Sequence, residues 1–216
     1  MVTVDGVRSD GAGMSAGSWF DREFDGAPLM AILRRMGVER SLRVAGSAWD
    51  LGLDAVEVTL QQPEDLEALA AVVDAGRARG KRVGAGTIIS VDQVGRAVEA
   101  GAAYLVSPGW DADVVRAAGE VGIPILPGVA TPGEVQAAVA AGLDWVKAFP
   151  ATWLGPGWFR HVRGPFPDVR FVATGGLDAG NVEEYLDAGV RVAAVGSALE
   201  DPAQLERLAG VLERRR

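Results

Sequence analysis

From residue 27 onward the chain alternates between two textures, and this alternation restricts its fold more than any other feature. Short β-branched or apolar runs are each followed by Ala-, Leu- and charge-rich stretches at helical spacing. The strand candidates are Pro28–Arg34, Ala55–Leu60, Arg82–Thr87, Tyr104–Ser107, Ile123–Gly128, Trp145–Pro150, Arg170–Thr174 and Arg191–Gly196. Helix candidates lie near 38–51, 63–79, 90–101, 111–120, 131–141, 155–163, 178–188 and 202–214. Continuously apolar strands separated by helices signify a parallel sheet buried on both faces. Several helices end in a glycine shortly before the next strand, at Gly52, Gly80, Gly101, Gly122, Gly142 and Gly189; glycine most readily takes the left-handed conformation that closes a helix. Ser90, Asp111, Thr131 and Asp178 stand at helix starts as N-caps, and Thr131 with Glu134 has the spacing of a capping box. An Ala-Gly pair two residues before a strand recurs at Gly101, Gly142 and Gly189, a weak internal repeat.

Eight units in about 190 residues predict a single (β/α)8 TIM barrel. An open doubly wound sheet suits the unit count and the even spacing less well. No Pro- or Gly-rich linker divides the chain, so residues 19–216 read as one domain. Residues 1–18, rich in Gly, Ser and Asp, read as a flexible N-terminal tail, and Trp19–Phe24 as a short helix with an apolar side. No apolar run in the first 18 residues forms a signal-peptide core and none elsewhere is long enough to span a membrane, so a cytoplasmic protein is expected. Arg214-Arg215-Arg216 reads as a solvated helix end rather than a binding patch.

Composition narrows the chemistry. There is no Cys, which excludes disulfides, thiolate metal sites and a cysteine nucleophile, and His161 is the one His, which argues against a multi-histidine metal centre. The net charge of −8 repels nucleic acid and anionic membranes, so neither is an expected partner. An anionic substrate would need a local positive site.

In a barrel of this kind chemistry sits at the C-terminal ends of the strands. Lys147 lies inside a strand, sharing a face with Trp145 and Phe149. Burial there would favour the neutral amine, which can attack a ketone and form a Schiff base. Glu57 also lies inside an apolar strand, where an unpaired carboxylate is costly. Both inside one barrel would relieve each other, either as a structural ion pair or as a Schiff-base lysine with its acid/base partner. The turns Thr174-Gly175-Gly176 and Gly196-Ser197 follow the seventh and eighth strands, the usual phosphate site of this fold. Arg34 and Thr87, at the ends of the first and third strands, are candidates to hold a second anion such as a carboxylate.

Eight phrases occur in order: Glu57-Val58-Thr59-Leu60, Gly84-Ala85-Gly86-Thr87, Ser107-Pro108-Gly109, Leu126-Pro127-Gly128-Val129-Ala130-Thr131-Pro132, Lys147-Ala148-Phe149-Pro150-Ala151, Gly164-Pro165-Phe166-Pro167, Thr174-Gly175-Gly176 and Gly196-Ser197-Ala198. Over residues 27–213 the chain resembles the KDPG/KHG aldolases, class I aldolases of 2-keto-3-deoxy-6-phosphogluconate. The resemblance implies a homotrimeric barrel, without metal or other cofactor, that cleaves a phosphorylated keto-acid to pyruvate and glyceraldehyde 3-phosphate. It implies Lys147 as the Schiff-base lysine and Glu57 as the general acid/base. Thr87 and an arginine would hold the carboxylate, with Phe149 and Pro108 beside the pyruvate unit. Thr174, Gly175, Gly176, Gly196 and Ser197 would frame the phosphate.

One position departs from the family pattern. Many members carry Arg directly after the Glu-Val-Thr-Leu phrase, where this chain has Gln61. Others use an arginine at the end of the first strand, in a phrase like Ala31-Ile32-Leu33-Arg34, so the carboxylate is assigned to Arg34. Gln61-Gln62-Pro63 is similar to the related 6-phosphogalactonate aldolases, whereas Gly164-Pro165-Phe166-Pro167 and the Thr-Gly-Gly phrase resemble the gluconate enzymes; the C4 epimer therefore stays open, as does cleavage of unphosphorylated 4-hydroxy-2-oxoglutarate. Readings from other classes are an isomerase or synthase on the same phosphate-binding barrel, and a non-catalytic phosphosugar-binding protein. The segment Trp153–Trp158 reads as a loop after the sixth strand, placed where it could cover the site.

Overall fold

The computed structural model describes residues 16–215. The tail read for the first 15 residues lies outside them, and the segment 16–18 already belongs to helix α1 (Ala16–Glu23). Nine parallel strand segments follow: β1 (Leu29–Leu33), β2 (Val56–Thr59), β3 (Val83–Gly86), β4 (Tyr104–Val106), β5 (Ile125–Leu126), β6 (Gly128–Val129), β7 (Trp145–Ala148), β8 (Arg170–Thr174) and β9 (Val192–Val195). Their order is β5-β4-β3-β2-β1-β9-β8-β7-β6. β5 pairs with β4 and β6 with β7, so the two are halves of one fifth strand and the sheet is a single TIM-like barrel. The strand expected over Ile123–Gly128 is thus interrupted at Pro127, which has no amide for the ladder; its carbonyl still accepts the Lys147 amide at 2.9 Å.

The helices are α2 (Gly37–Leu51), α3 (Asp65–Ala78), α4 (Val91–Glu99), α5 (Ala112–Glu120), α6 (Pro132–Ala140), α7 (Ala151–Val162), α8 (Val182–Asp187) and α9 (Pro202–Arg215), with a 3₁₀ turn Ser197–Glu200 between β9 and α9. Local chemistry sets their ends. All six glycines behind helices have positive φ, between 68° and 95°. Ser90 and Asp111 accept backbone amides of the first turns of α4 and α5, and Thr131 with Glu134 completes a capping box on α6. Asp178 does not cap a helix. Its carboxylate accepts the Gly180 amide in a preceding turn, and α8 starts after Asn181, whose side chain makes no cap. Nor is Trp153–Trp158 a loop: it lies within α7, which kinks at Gly155 (φ 73°, ψ 159°) and restarts at Pro156, a residue suited to a first helical turn.

Alternation along the strands makes two apolar cores. Residues such as Ala31, Leu33, Val56, Val58, Val146 and Ala148 pack outward under the helices. Met30, Ile32, Ala55, Tyr104, Leu126, Trp145, Val172 and Ala194 fill the barrel together with Phe20 and Phe24 of α1. Phe24 lies 5.1 Å from the Trp145 ring and Phe20 6.0 Å from the Tyr104 ring, centroid to centroid. Tyr104 and Trp145 begin their strands, so α1 plugs the N-terminal mouth and leaves the C-terminal mouth open for the site. Among the described residues no helix is long and apolar enough to cross a membrane. At the other end of the chain Arg214 and Arg215 pair with Glu183 and Asp187 of α8.

Candidate active site

Strand parity decides which polar side chains enter the barrel. Ala55, directly before β2, and Trp145 of β7 point inward, so Glu57 and Lys147, two residues further on, do too. Both are buried, and Lys147 Nζ stands 3.8 Å from Glu57 Oε1. Among the described residues neither Glu57 oxygen has a hydrogen-bond partner. Burial pushes the Glu57 carboxyl above its ordinary range, with the charges of Lys147 and Arg34 pulling the other way. Burial likewise lowers the Lys147 amine; the Glu57 charge raises it and Arg34 adds to the lowering. Taking either charge out of water is costly, so both groups are pushed toward neutral forms. The result is a basic amine beside a proton donor and acceptor, in a space screened from bulk water. The Lys147 nitrogen also lies 5.6 Å from the Phe149 ring centroid.

Room for this pair comes from β3. Its inward positions are Gly84 and Gly86; a side chain at Gly84 would collide with the Tyr104 ring and one at Gly86 with the Glu57 carboxylate. These two glycines belong to the site beyond the residues expected from the sequence, and a Gly-x-Gly inside a strand is the sequence signal of such a close approach. Thr87 follows directly, half-buried at the strand end with φ 59°. Pro108 packs its carbonyl against Gly128, where any Cβ would clash.

A cleft of about 550 Å³ opens at the C-terminal ends of the strands, lined by Arg34, Arg40, Gly175, Gly176, Gly196 and Ser197 among others. It unites Arg34 with four of the five residues expected to frame a phosphate. The fifth, Thr174, is buried and shares the inward face with Val172. Its hydroxyl has no partner among the described residues and it does not line this cleft. Gly175 and Gly176 carry positive φ of 102° and 78°, and side chains there would press on the Phe149 ring and on Thr152. Gln61, the departing position, accepts the Arg34 guanidinium at 3.4 Å and lies 3.4 Å from the Thr59 hydroxyl, so it braces the arginine. Asp65 fixes this corner by accepting the Gln61 and Gln62 amides at 2.8 and 2.9 Å. Among the described residues no three His, Asp or Glu side chains converge so as to hold a metal ion.

The profile of the family described as KDPG and KHG aldolase matches residues 20–209. A probable 2-dehydro-3-deoxy-6-phosphogalactonate aldolase of Rhizobium meliloti is 36% identical, covering 81% of this chain and 82% of its own. The 2-dehydro-3-deoxy-phosphogluconate aldolase of Treponema pallidum is 37% identical over 77% of this chain and 79% of its own. Among solved structures, KDPG aldolase from Legionella pneumophila, with pyruvate captured as a covalent carbinolamine, superposes with a TM-score of 0.77 at 28% identity, covering 89% of this chain and 96% of that one.

Proposed function

The chain belongs to the KDPG and KHG aldolase family and is a lyase, and on that premise we propose that it is a class I aldolase cleaving 2-keto-3-deoxy-6-phosphogluconate to pyruvate and D-glyceraldehyde 3-phosphate. The observation that carries this reading is the buried Lys147–Glu57 pair, 3.8 Å apart inside the barrel, with both groups pushed toward neutrality. Arg34 and Thr87 hold the keto-acid carboxylate, Phe149 and Pro108 flank the pyruvate unit, and the Gly175-Gly176 and Gly196-Ser197 turns receive the phosphate through bare backbone amides. Thr174 is carried with that phosphate set, although its side chain lies deeper than the cleft.

The neutral Lys147 amine attacks the C2 ketone, and the carbinolamine loses water to a protonated imine as the Glu57 carboxyl donates its proton to the departing hydroxyl and is left as the carboxylate. That imine is an electron sink. The Glu57 carboxylate removes the C4-hydroxyl proton, the C3–C4 bond breaks and the aldehyde departs, leaving an enamine on Lys147. Glu57 returns the proton to C3, and water hydrolyses the pyruvate imine to regenerate the amine. A carboxyl held above its ordinary range both takes and gives this proton more easily near neutral pH. The Legionella enzyme's carbinolamine with pyruvate supports the covalent route for this chain.

The epimeric substrate, the 6-phosphogalactonate keto-acid, is the second reading. The Rhizobium relative's name and the Gln61-Gln62-Pro63 phrase favour it. Assembly as a homotrimer in the cytoplasm accompanies the family reading and is checked by sedimentation and by fractionation of cells.

The decisive experiment incubates the protein with pyruvate and borohydride and maps the modified peptide by mass spectrometry. A reduced pyruvyl adduct on Lys147, absent from Lys147→Ala together with a loss of several orders of magnitude in cleavage, is expected. A folded protein that gives no adduct overturns the assignment. Rates on the two epimeric keto-acids then decide between the substrate readings.

A further inference from the structure

The anion cleft carries a second arginine that the reaction above does not use. Arg40, near the start of α2, lines the cleft together with Arg34, and across from it stands Glu200, the last residue of the turn that begins at Ser197. Arg40 donates to Glu200 through Nε and Nη2, each at 2.6 Å, a side-on fork. The side chains are 50% and 27% exposed, so this is a rim pair open to a ligand rather than a buried structural one.

Two facts set its role. A phosphate dianion entering a cleft that contains Glu200 would be repelled by that carboxylate, and Arg40 neutralises it. A guanidinium has five N–H donors in a plane, and the fork to Glu200 uses two of them. The remaining N–H groups lie on the other edge of the same plane, held in orientation by the fork. A planar donor edge of this kind suits phosphate oxygens, and its placement is already fixed before a ligand arrives.

Building on the aldolase reading, we propose that Arg40, moored by Glu200, is a phosphate-recognition residue that makes this chain select phosphorylated over unphosphorylated keto-acids. Arg34 then serves the carboxylate end of the substrate and Arg40 the phosphate end, and the glycine turns close the cleft between them.

The test compares wild type with Arg40→Ala and Arg40→Lys on two substrates, 2-keto-3-deoxy-6-phosphogluconate and unphosphorylated 4-hydroxy-2-oxoglutarate, and measures binding of inorganic phosphate by calorimetry. Loss of a charge-assisted contact should lower the kcat/KM ratio of phosphorylated to unphosphorylated substrate about 10–100-fold in Arg40→Ala. The loss should fall on KM, with Arg40→Lys intermediate because it keeps the charge without the fork. Phosphate affinity should drop in parallel. A ratio and a phosphate affinity both within about twofold of wild type overturn the proposal, as does an equal loss on both substrates. If pyruvate trapping on Lys147 fails in the wild type, the aldolase reading falls while the calorimetric comparison still decides the role of Arg40.

Discussion

The carboxylate of Glu57 occupies the space that a methyl group on Gly86 would need. The two lie on neighbouring strands, with Glu57 opposite Gly84 and Thr59 opposite Gly86, so the Glu57 side chain leans one inward position along β3 to reach its place beside Lys147. The glycine is therefore part of how the Glu57 carboxylate is aimed. Gly86→Ala should destabilise the fold by about 1–3 kcal/mol through overpacking. It should also lower kcat toward that of Glu57→Gln, whose expected loss is about 10²–10⁴-fold. Denaturant unfolding of a double-mutant cycle isolates the contact: in a Glu57→Ala background the same Gly86→Ala change should cost much less. Equal costs in both backgrounds would show that the methyl group meets something other than the carboxylate.

The charges around Lys147 predict opposite pH responses for two neutralising variants. In the proposed reaction the reactive species is the free amine, so the rate should rise as pH climbs through the Lys147 pKa, which burial holds below its ordinary value. The Glu57 charge raises that pKa and the Arg34 charge lowers it. Removing the carboxylate in Glu57→Gln should move the acid limb to lower pH, and removing the guanidinium in Arg34→Ala should move it to higher pH. Arylation of Lys147 by the uncharged reagent fluorodinitrobenzene, followed on its peptide against pH, reads the amine without involving substrate binding. Shifts in the same direction would contradict the electrostatic picture.

The sequence told most where the signal is local. The strand–helix alternation, the six helix-closing glycines and the caps at Ser90, Asp111 and Thr131 each involve residues a few positions apart, and all take the expected conformations. Asp178 failed as a cap because a turn two residues long captured its carboxylate before α8 began. The apolar run Ile123–Gly128 suggests one unbroken fifth strand, but Pro127 lacks the amide that a continuous ladder needs. What was not legible depends on partners far apart in the chain. Gly86 meets Glu57 only once β2 and β3 pair, Gln61 braces an arginine 27 residues away, and Arg40 finds Glu200 across 160 residues. A charged side chain inside an apolar strand is costly unless paired, so Lys147 and Glu57 read as facing each other across one barrel interior; that pair could be anticipated from the sequence and its surroundings could not.

The Gly175-Gly176 turn makes a prediction about the cleft. At Gly176, φ is 78°, and a Cβ there would lie 2.6 Å from the Thr152 hydroxyl oxygen. Gly176→Ala therefore combines a left-handed conformation that alanine tolerates poorly with a contact against α7. The backbone amides of the turn should swing out of line with an incoming phosphate. Steady-state kinetics on the phosphorylated keto-acid should show KM raised by about tenfold or more, with a smaller change in kcat. A change confined to kcat would mean that the turn serves the reacting carbons rather than the phosphate.

Helix α1 supports the barrel from the end opposite the chemistry. Phe20 is fully buried, contacting the rings of Trp19, Phe24, Tyr104 and Trp145. Asp21 ties the same helix to the barrel by accepting Trp145 Nε1 at 3.0 Å and pairing with Arg170 at 3.2 Å. Truncating Phe20 to alanine removes a large side chain from a closed aromatic cluster, a change that costs about 3–5 kcal/mol. For a domain of this size that lowers Tm by roughly 6–20 °C. Lys147 lies two residues beyond Trp145 along β7, nearer the C-terminal mouth, so kcat measured well below the new Tm should stay within about twofold of wild type. A scanning calorimetry trace with unchanged Tm would mean that α1 is not the plug its packing indicates. A large fall in kcat at low temperature would mean that the plug reaches through Trp145 to position the lysine.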